Sequence, residues 1–144
     1  MAAPPMSLRP YTSGDEDAVV ALWQACGLTR PWNDPHQDIA RKLTVQPDGF
    51  LVGCVDGQLV ATAMFGYDGH RGWVNYLAVA SQRQGHGHAR CLMAAGEQWL
   101  QAAGCPKLNL QLRSSNAAVI SFYQHLGYTA DEVVSMGKRL ISDS

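Results

Sequence analysis

The fold is decided by the stretch Ser81-Gln82-Arg83-Gln84-Gly85-His86-Gly87-His88-Ala89. A strand-like run, Trp73 to Val79, precedes this stretch, and an amphipathic helix, Arg90 to Gln101, follows it. A strand, a glycine loop and a helix start in this order expose unpaired backbone N–H groups beside the positive end of a helix dipole. Because such groups bind phosphate, the sequence predicts a phosphate-bearing ligand at this loop.

The spacing within the loop argues against two common phosphate-binding motifs. A P-loop ends in Gly-Lys-Ser/Thr, whereas this loop has no lysine and no hydroxyl there. A dinucleotide-binding loop reads Gly-x-Gly-x-x-Gly, with an acidic residue about 20 positions later on a strand. Here Arg90 replaces the third glycine, and no acidic residue follows on a strand. A glycine-rich turn without a ligand is the alternative that stays open.

Charge is segregated around the loop. No acidic residue lies between Asp68 and Glu97, and the same interval contains three arginines and three histidines, namely Arg71, Arg83, Arg90, His70, His86 and His88. In a chain of formal net charge -1, this pattern produces a local positive field that suits a polyanionic ligand. A solvated surface with a chance run of charges is the other interpretation.

A second pattern lies about thirty residues downstream. Leucines at 108, 110 and 112 alternate with polar residues, which predicts a half-buried strand. Asn116 is then a candidate N-cap, and apolar residues recur at helical spacing as far as Leu126. Gly127 follows at the position where a left-handed residue ends a helix.

Together the two patterns resemble the GNAT superfamily of N-acetyltransferases. Gln84-x-x-Gly87-x-Ala89 is similar to the signature Gln/Arg-x-x-Gly-x-Gly/Ala of that family. The second family motif, Asn-x-x-Ala/Val-x-x-Phe/Leu-Tyr-x-x-x-Gly-Phe/Tyr, is matched by Asn116, Val119, Phe122, Tyr123, Gly127 and Tyr128. Residues 30–35, 66–72, 104–107 and 137–141 also resemble the small bacterial YpeA-like acetyltransferases.

The resemblance implies acetyl-coenzyme A (acetyl-CoA) as co-substrate. In the family the loop cradles the pyrophosphate, here through Gln84, Gly85, His86, Gly87, His88 and Ala89. The strand before the loop supplies backbone groups that polarise the thioester carbonyl, here Leu77, Ala78 and Val79. Asn116 corresponds to the residue that contacts the pantetheine or phosphate end of the cofactor.

Tyr123 corresponds to the family's general acid beside the thioester sulfur. A phenol that titrates near ~10 is able to protonate a departing thiolate that titrates near ~8.5. An aromatic on the apolar face of a helix is the structural alternative.

The general base is left unassigned. Many relatives use a glutamate on the fourth strand, but residues 73–79 contain no acid. Asn75 is suited to holding a water, and Asp68 and His70 are candidates only if their loop folds toward the cleft. Ordinary turn chemistry is the alternative for both.

The acceptor is expected to be an amine of a small molecule or a protein. In the family the region between the first two helices walls the substrate side of the cleft, so Trp32 and Asn33 are the candidate substrate-binding residues. Packing of Trp32 on the following helix is the alternative. The chain shows no basic, aromatic-interleaved surface, so no nucleic-acid partner is expected.

The remaining patterns complete the fold prediction. Thr12-Ser13-x-x-Glu16 predicts a capping box, Gly27 a helix end, and Asp34-Pro35 a helix running to about Leu43. Strands over 50–55 and 59–67 are joined by Asp56-Gly57. The resemblance implies an α/β (α+β) GNAT fold, with one mixed, mostly antiparallel sheet of six to seven strands and about four helices. It also implies a V-shaped splay between strands 4 and 5, with closing strands from Val133 to Leu140.

Composition sets the outer bounds. With 144 residues, of which 47% are hydrophobic, the chain is expected to form a single domain over 1–144. Cys26, Cys54, Cys91 and Cys105 lack Cys-x-x-Cys spacing, which favours buried free thiols in a reducing compartment. No signal-peptide or bilayer-spanning pattern is seen, so the cytoplasm is expected, without a membrane partner.

Three further expectations concern metal binding, assembly and the class of function. His86-x-His88 lacks a convergent carboxylate or cysteine, so no metal is expected. The apolar C-terminal segment would allow pairing across a homodimer. Three classes of function are carried forward: an acetyl-CoA-dependent N-acetyltransferase, a regulatory module that holds acetyl-CoA without turnover, and a structural domain with a degenerate loop.

Overall fold

Five strands form one sheet in the computed structural model, which describes residues 4–143. The strands are β1 (Ser7–Pro10), β2 (Phe50–Val55), β3 (Gln58–Tyr67), β4 (Gly72–Val79) and β5 (Leu108–Asn109), and they lie side by side in chain order. The first four are antiparallel, and β5 runs parallel to β4. The sheet is therefore mixed and mostly antiparallel, as expected.

The chain divides into two compact units. The first takes in the residues to Asn109 together with Asp143, and the second runs from Leu110 to Ser142. The first unit contains the sheet and the helices α1 (Glu16–Ala25), α2 (Pro35–Lys42) and α3 (His88–Ala102). The second contains α4 (Ala117–His125).

Helix ends follow their local sequence signals. The Asp34 carboxylate accepts a hydrogen bond from the His36 amide at 2.9 Å, which confirms the predicted start of α2. Gly27 and Gly127 adopt φ values of 70° and 97° and end α1 and α4. At both ends the amides bond back to carbonyls of the last turn, as in a Schellman motif.

The capping box before α1 uses a different pair of residues from the predicted one. Asp15, and not Glu16, accepts a hydrogen bond from the Thr12 amide, at 2.8 Å. Asp15 also pairs with Arg9 of β1 at 2.7 Å. The chain makes a short 3₁₀ turn over Ser13–Asp15 before α1 begins, which shifts the reciprocal bonds by one residue.

The turn between β2 and β3 and a bulge in β4 shape the sheet. Asp56 and Gly57 have φ values of 50° and 76°, the two positive angles of a type I′ hairpin turn. Thr62 of β3 pairs with Ala78 of β4, and Met64 of β3 pairs with Asn75 of β4. Between these two pairs lie two residues of β4 but only one of β3. Two residues of β4 thus face one of β3, which is a β-bulge.

Close packing of α3 on β3 supports the loop at the end of β4. A Cβ on Gly96 would lie 2.0 Å from the nearest ring atom of Phe65, whose side chain is fully buried. The absence of a side chain at this position lets the helix approach the strand. The largest fully buried side chains among the described residues are Trp23, Phe50, Phe65, Ile39, Leu92 and Met93.

Three predictions about strands are wrong. The sheet has five strands, not six to seven, and no strand lies within residues 110–143. Side chains expected in closing strands, such as Val134 and Met136, are 85% and 90% exposed. Likewise β5 stops at Asn109 instead of continuing through Leu112. Alternation of apolar and polar residues predicts which face of a strand is buried, but a ladder also requires a partner backbone.

The pairing of β4 with β5 is confined to the start of β4. It joins Gly72 to Leu108 and Trp73 to Asn109. Beyond Trp73, β4 continues to Val79 without a paired strand on that side among residues 4–143. The expected V-shaped splay between strands 4 and 5 stays a prediction.

Cysteine burial also differs from the prediction. All four cysteines are free, but Cys91 is exposed, and Cys26, Cys54 and Cys105 are half-buried. The apolar neighbours of these residues in the sequence predicted full burial. For Cys54 in β2 and Cys91 in α3, exposure depends on which face of the element the residue occupies, because adjacent residues on a strand or helix point to different sides.

Candidate active site

The glycine loop presents open backbone at the end of β4. Gly85 and Gly87 have φ values of 82° and 81°, and a Cβ at either would meet no atom within 4 Å. Their role is therefore conformational, since a residue with a side chain adopts this region at a cost. Gly87 is the N-cap of α3 and carries no side chain to bond the first helical amides. The N-terminus of α3 is thus suited to an anionic group.

His88, the first residue of α3, adds an unpaired polar group. Its side chain is only 7% exposed, and Nε2 has no hydrogen-bond partner among residues 4–143. Desolvation, with smaller contributions from His86 and Arg83, lowers the pKa of His88 below its usual value. A buried polar atom without a partner is costly, so a ligand that offers one would be favoured here. The residues present fit a phosphate-bearing group.

The strand and loop positions predicted to bind the cofactor are brought together in the first unit. The Gln84 side chain donates from Nε2 to the Val79 carbonyl at 3.2 Å, tying the loop to the end of β4. Ala78 is buried, whereas Leu77 and Val79 are half-buried. His86 contacts the ring of His88 edge-on at 5.7 Å, and Ala89 follows in the first turn of α3.

A second site lies on the α2 side of β4. A cavity of about 210 Å³ opens between α2 and the middle strands, and its lining residues are Lys42, Val45, Gln46, Met64, Phe65, Gly66, Tyr67, Asp68, Trp73 and Asn75. Lys42 donates from Nζ to the Phe65 carbonyl, and burial lowers the pKa of its ammonium. One turn earlier on α2, Asp38 accepts a hydrogen bond from the Tyr76 hydroxyl at 2.6 Å.

Sequence reasoning did not single out Asp38 or Tyr76. They are 38 residues apart, and no local motif links a helix carboxylate to a strand tyrosine. The missing base on strand 4 was the only available signal, because it directs attention to carboxylates on neighbouring elements.

Asp68 and His70 take part in turn chemistry. The Asp68 carboxylate accepts from the backbone amides of His70 and Arg71 at 2.8 and 2.7 Å, and from the Trp73 indole at 3.2 Å. The bond from Arg71, followed by the bond from His70, lowers the Asp68 pKa. A carboxylate held in this way is a weaker base, although Asp68 does line the cavity.

Trp32 and Asn33 precede the cap of α2. Trp32 is 56% exposed, so most of its ring is available for contacts other than packing on the helix. The Asn33 amide bonds to the Arg30 carbonyl at 3.1 Å, which closes a tight turn before Asp34. Their proposed contact with the acceptor stays a prediction.

The second unit contains Asn116 and Tyr123. The Asn116 side chain accepts a hydrogen bond from the Val119 amide at 3.3 Å, which confirms it as the N-cap of α4. Tyr123 is 5% exposed, with the rings of Phe122 and Tyr128 at 5.1 and 5.7 Å. Desolvation raises the pKa of Tyr123 to about 12. The cofactor contacts of both residues stay predictions.

Within residues 4–143 no group of three or more histidine, cysteine or acidic side chains is placed to hold a metal ion. None of the helices in that range is long and apolar enough to cross a bilayer.

Fold and loop define an α/β protein whose fourth strand leads through a glycine loop into the N-terminus of α3. The chain belongs to the acetyltransferase (GNAT) family, whose model matches residues 17–128. An acetyltransferase of Pectobacterium atrosepticum is 47% identical over 138 residues, which cover 96% of this chain and 98% of that protein. An uncharacterized N-acetyltransferase of Yersinia pestis is 46% identical, with the same coverage of both chains.

A solved structure shows the same fold. Aminoglycoside N-acetyltransferase AAC(6')-Iy in complex with CoA superposes with a TM-score of 0.73 at 19% identity, covering 95% of this chain and 96% of that one. At this identity the likeness establishes the fold alone. Family membership confirms the resemblance drawn from the sequence, and with it the expected class of enzyme, an acetyl-CoA-dependent N-acetyltransferase.

Proposed function

We propose that this protein transfers the acetyl group of acetyl-CoA to a primary amine of a small molecule or a protein by direct attack. The observation that carries the proposal is the open glycine loop, which leads into the uncapped N-terminus of α3 beside the unpaired Nε2 of His88. No acidic side chain occurs between residues 69 and 96, so the site favours a diphosphate.

Binding rests on backbone groups of the loop. In the proposal, the amides of residues 84–89 and the N-terminus of α3 hold the pyrophosphate, with His86 and His88 beside it. Asn116 contacts the pantetheine or phosphate end of the cofactor. Such preorganised donors need little rearrangement when the ligand arrives.

When bound, acetyl-CoA supplies an acyl carbon activated by a thiolate leaving group. Backbone groups of Leu77, Ala78 and Val79 polarise the carbonyl, beside the bulge of β4. Tyr123 holds its phenolic proton at neutral pH, because burial raises its pKa to about 12. It donates that proton to the sulfur as the carbon–sulfur bond breaks.

The acceptor is assigned to the α2 side of β4. Trp32 and Asn33, before the cap of α2, are its proposed contacts, and the exposure of Trp32 supports this role. We place the protein in the cytoplasm as one domain over residues 1–144, in keeping with its four free thiols. Exposed apolar side chains at Val133, Val134, Met136, Leu140 and Ile141 support a homodimer.

Two measurements test the proposal. Acetyl-CoA at millimolar concentration should raise the melting temperature, since a ligand that binds only the native state stabilises it. Incubation with acetyl-CoA and a panel of amines and peptides should release free thiol in the presence of an acceptor. Stabilisation without thiol release would favour the regulatory module. The lack of any stabilisation would leave only the structural domain.

A further inference from the structure

The bulge in β4 directs Tyr76 toward α1 and α2. Tyr76 is a non-glycine residue with a φ of 54°, in the left-handed region that L residues seldom adopt. Such a conformation costs free energy and persists only when neighbouring groups hold it, often at functional sites. The neighbours of Tyr76 therefore indicate what the conformation serves.

Three contacts hold Tyr76 in place. Its ring stacks on Trp23 of α1 at 3.8 Å between ring centres, with an angle of 12° between the planes. Its carbonyl accepts from the Thr62 hydroxyl at 2.9 Å, and Thr62 in turn accepts from the Trp23 indole at 2.9 Å. Trp23 and Thr62 are both fully buried. The phenol is thus aimed by the core of the protein.

The third contact leads to Asp38. The Tyr76 hydroxyl donates to Oδ2 of Asp38 at 2.6 Å, a short distance typical of a bond to a carboxylate. The other oxygen, Oδ1, lies 3.4 Å from Arg41, and the Asp38 side chain keeps 23% of its surface exposed. Tyr76 and Arg41 thus hold one oxygen each; the contact with Arg41 is the longer one, and the partial exposure leaves room for an incoming group at Oδ1.

We propose that Asp38 is the general base that takes the proton of the acceptor amine, with Tyr76 as the residue that positions it. The inference rests on the proposed acetyl transfer and supplies the base that strand 4 lacks. Acetyl transfer is placed at Leu77, Ala78 and Val79, and Tyr76 directly precedes them. The Tyr76 hydroxyl holds Asp38 on the α2 side of β4.

The acceptor ammonium gives one proton to Asp38, which passes it to solvent, and the nitrogen pair forms the bond to the acetyl carbon. The carbon–sulfur bond breaks with its electron pair on sulfur, and sulfur takes the proton of Tyr123. The nitrogen then loses a second proton, and solvent carries this proton to Tyr123, which regains its phenolic proton. The products are an amide, a free thiol and one proton.

Competing groups are less suited to the role. Asp68 already accepts three hydrogen bonds, two of them from backbone amides. Glu16 of α1 lies 3.5 Å from His36, with which it forms an exposed pair. Lys42, one turn after Asp38 on the same face of α2, lines the cavity, but its Nζ donates to the Phe65 carbonyl and is thereby held against β3.

Charged and polar groups hold Asp38 from both α2 and β4. Arg41 lies on one side, and Arg41 also bonds to Asp143, whose carboxylate accepts from the Asp34 amide at 2.8 Å. Tyr76 faces Asp38 from β4, and desolvation together with the bond to Asp38 raises the Tyr76 pKa. Tyr76 therefore stays a donor across neutral pH.

The test is Asp38→Asn in the full chain, assayed by thiol release with acetyl-CoA and the best acceptor of the amine panel. We expect turnover at pH 7 to fall about 100-fold, a typical contribution of a general base. Raising the pH from 7 to 9.5 should shrink this deficit, since more of the amine is then uncharged in solution. Asp38→Glu should restore part of the activity, and Tyr76→Phe should cost about 10-fold.

The matched control is Asp34→Asn, which removes the same charge four residues earlier and keeps a good N-cap. It should retain turnover within about twofold. Wild-type turnover in Asp38→Asn would overturn the assignment, and so would a deficit that does not change with pH. Both variants should keep the stabilisation by acetyl-CoA. Wild-type protein that releases no thiol with any amine would instead overturn the proposed function, and the base with it.

Discussion

The two ends of the proposed site on β4 are built in different ways. The loop end consists of backbone, with left-handed glycines and a helix N-terminus within nine consecutive residues. The α2 end consists of side chains from distant positions, where Asp38 meets Tyr76 and Arg41 meets Asp143. One end is encoded locally, whereas the other exists only once the chain has folded.

Charge separates the two ends as well. The interval around the loop contains no acid between residues 69 and 96. At the α2 end, the carboxylates of Asp38 and Asp143 both lie beside Arg41. The loop end thus suits a diphosphate and the α2 end an ammonium, which are the charged groups of the two proposed substrates. If the division holds, variants at the loop should change cofactor affinity, and variants near the chemistry should change turnover.

Tyr123→Phe should produce the largest effect among the variants outside the α2 end. Loss of the phenolic proton donor should lower kcat about 100-fold, while the KM for acetyl-CoA changes little. Steady-state kinetics with a fixed acceptor would measure both. Unchanged kcat would remove Tyr123 from the mechanism and leave it as an aromatic packed beside Tyr128.

Gly87→Ala should weaken acetyl-CoA binding about tenfold, because an alanine at a φ of 81° is strained and its Cβ fills open space over the loop. The matched control is Gly57→Ala in the β2–β3 turn, where φ is 76° and the space is equally open. Both variants should lose similar stability in urea. Only Gly87→Ala should lose part of the thermal stabilisation by acetyl-CoA; equal responses to the ligand would show that the loop does not bind it.

The division between the two ends also explains what the sequence could predict. Caps and turns depend on contacts three to five residues apart, so Asp34, the Asp56-Gly57 turn and Gly127 were all predicted correctly. The helix α3 begins at His88, two residues before the predicted start at Arg90, which is a small error at a helix end. The loop motif belongs to this class, which is why its residues were identified together.

Long-range features carried no comparable signal. The β4 bulge falls at a tyrosine in an unbroken strand-like run, and nothing in residues 73–79 marks it. The length of β5 and the lack of strands in residues 110–143 depend on where a partner backbone lies. Asp38 sits in an ordinary amphipathic helix, and only its hydrogen bond to Tyr76 distinguishes it.

Gly96→Ala should affect both ends equally by destabilising the fold beneath them. The new Cβ would overlap the buried Phe65 ring, at 2.0 Å, and overpacking of this kind costs about 1–3 kcal/mol. Urea unfolding would measure the loss. The double variant Gly96→Ala with Phe65→Leu should recover part of it, since the smaller side chain relieves the overlap. Strictly additive effects of the two substitutions would contradict the contact.

Asp15→Asn should have the smallest effect and should leave both ends unchanged. The hydrogen bond from Arg9 is the main cause that lowers the pKa of Asp15 to about 2. Because the Arg9 side chain is 43% exposed, solvent screening limits the contribution of this ion pair to the free energy of unfolding to roughly 0.5–1 kcal/mol. A lowered folded-state pKa stabilises the protein above the unfolded value near ~3.9. That contribution is lost as the pH falls toward 2. The stability difference between wild type and variant in urea should therefore shrink from pH 5 to pH 2, and a constant difference would show that the ion pair is not its source.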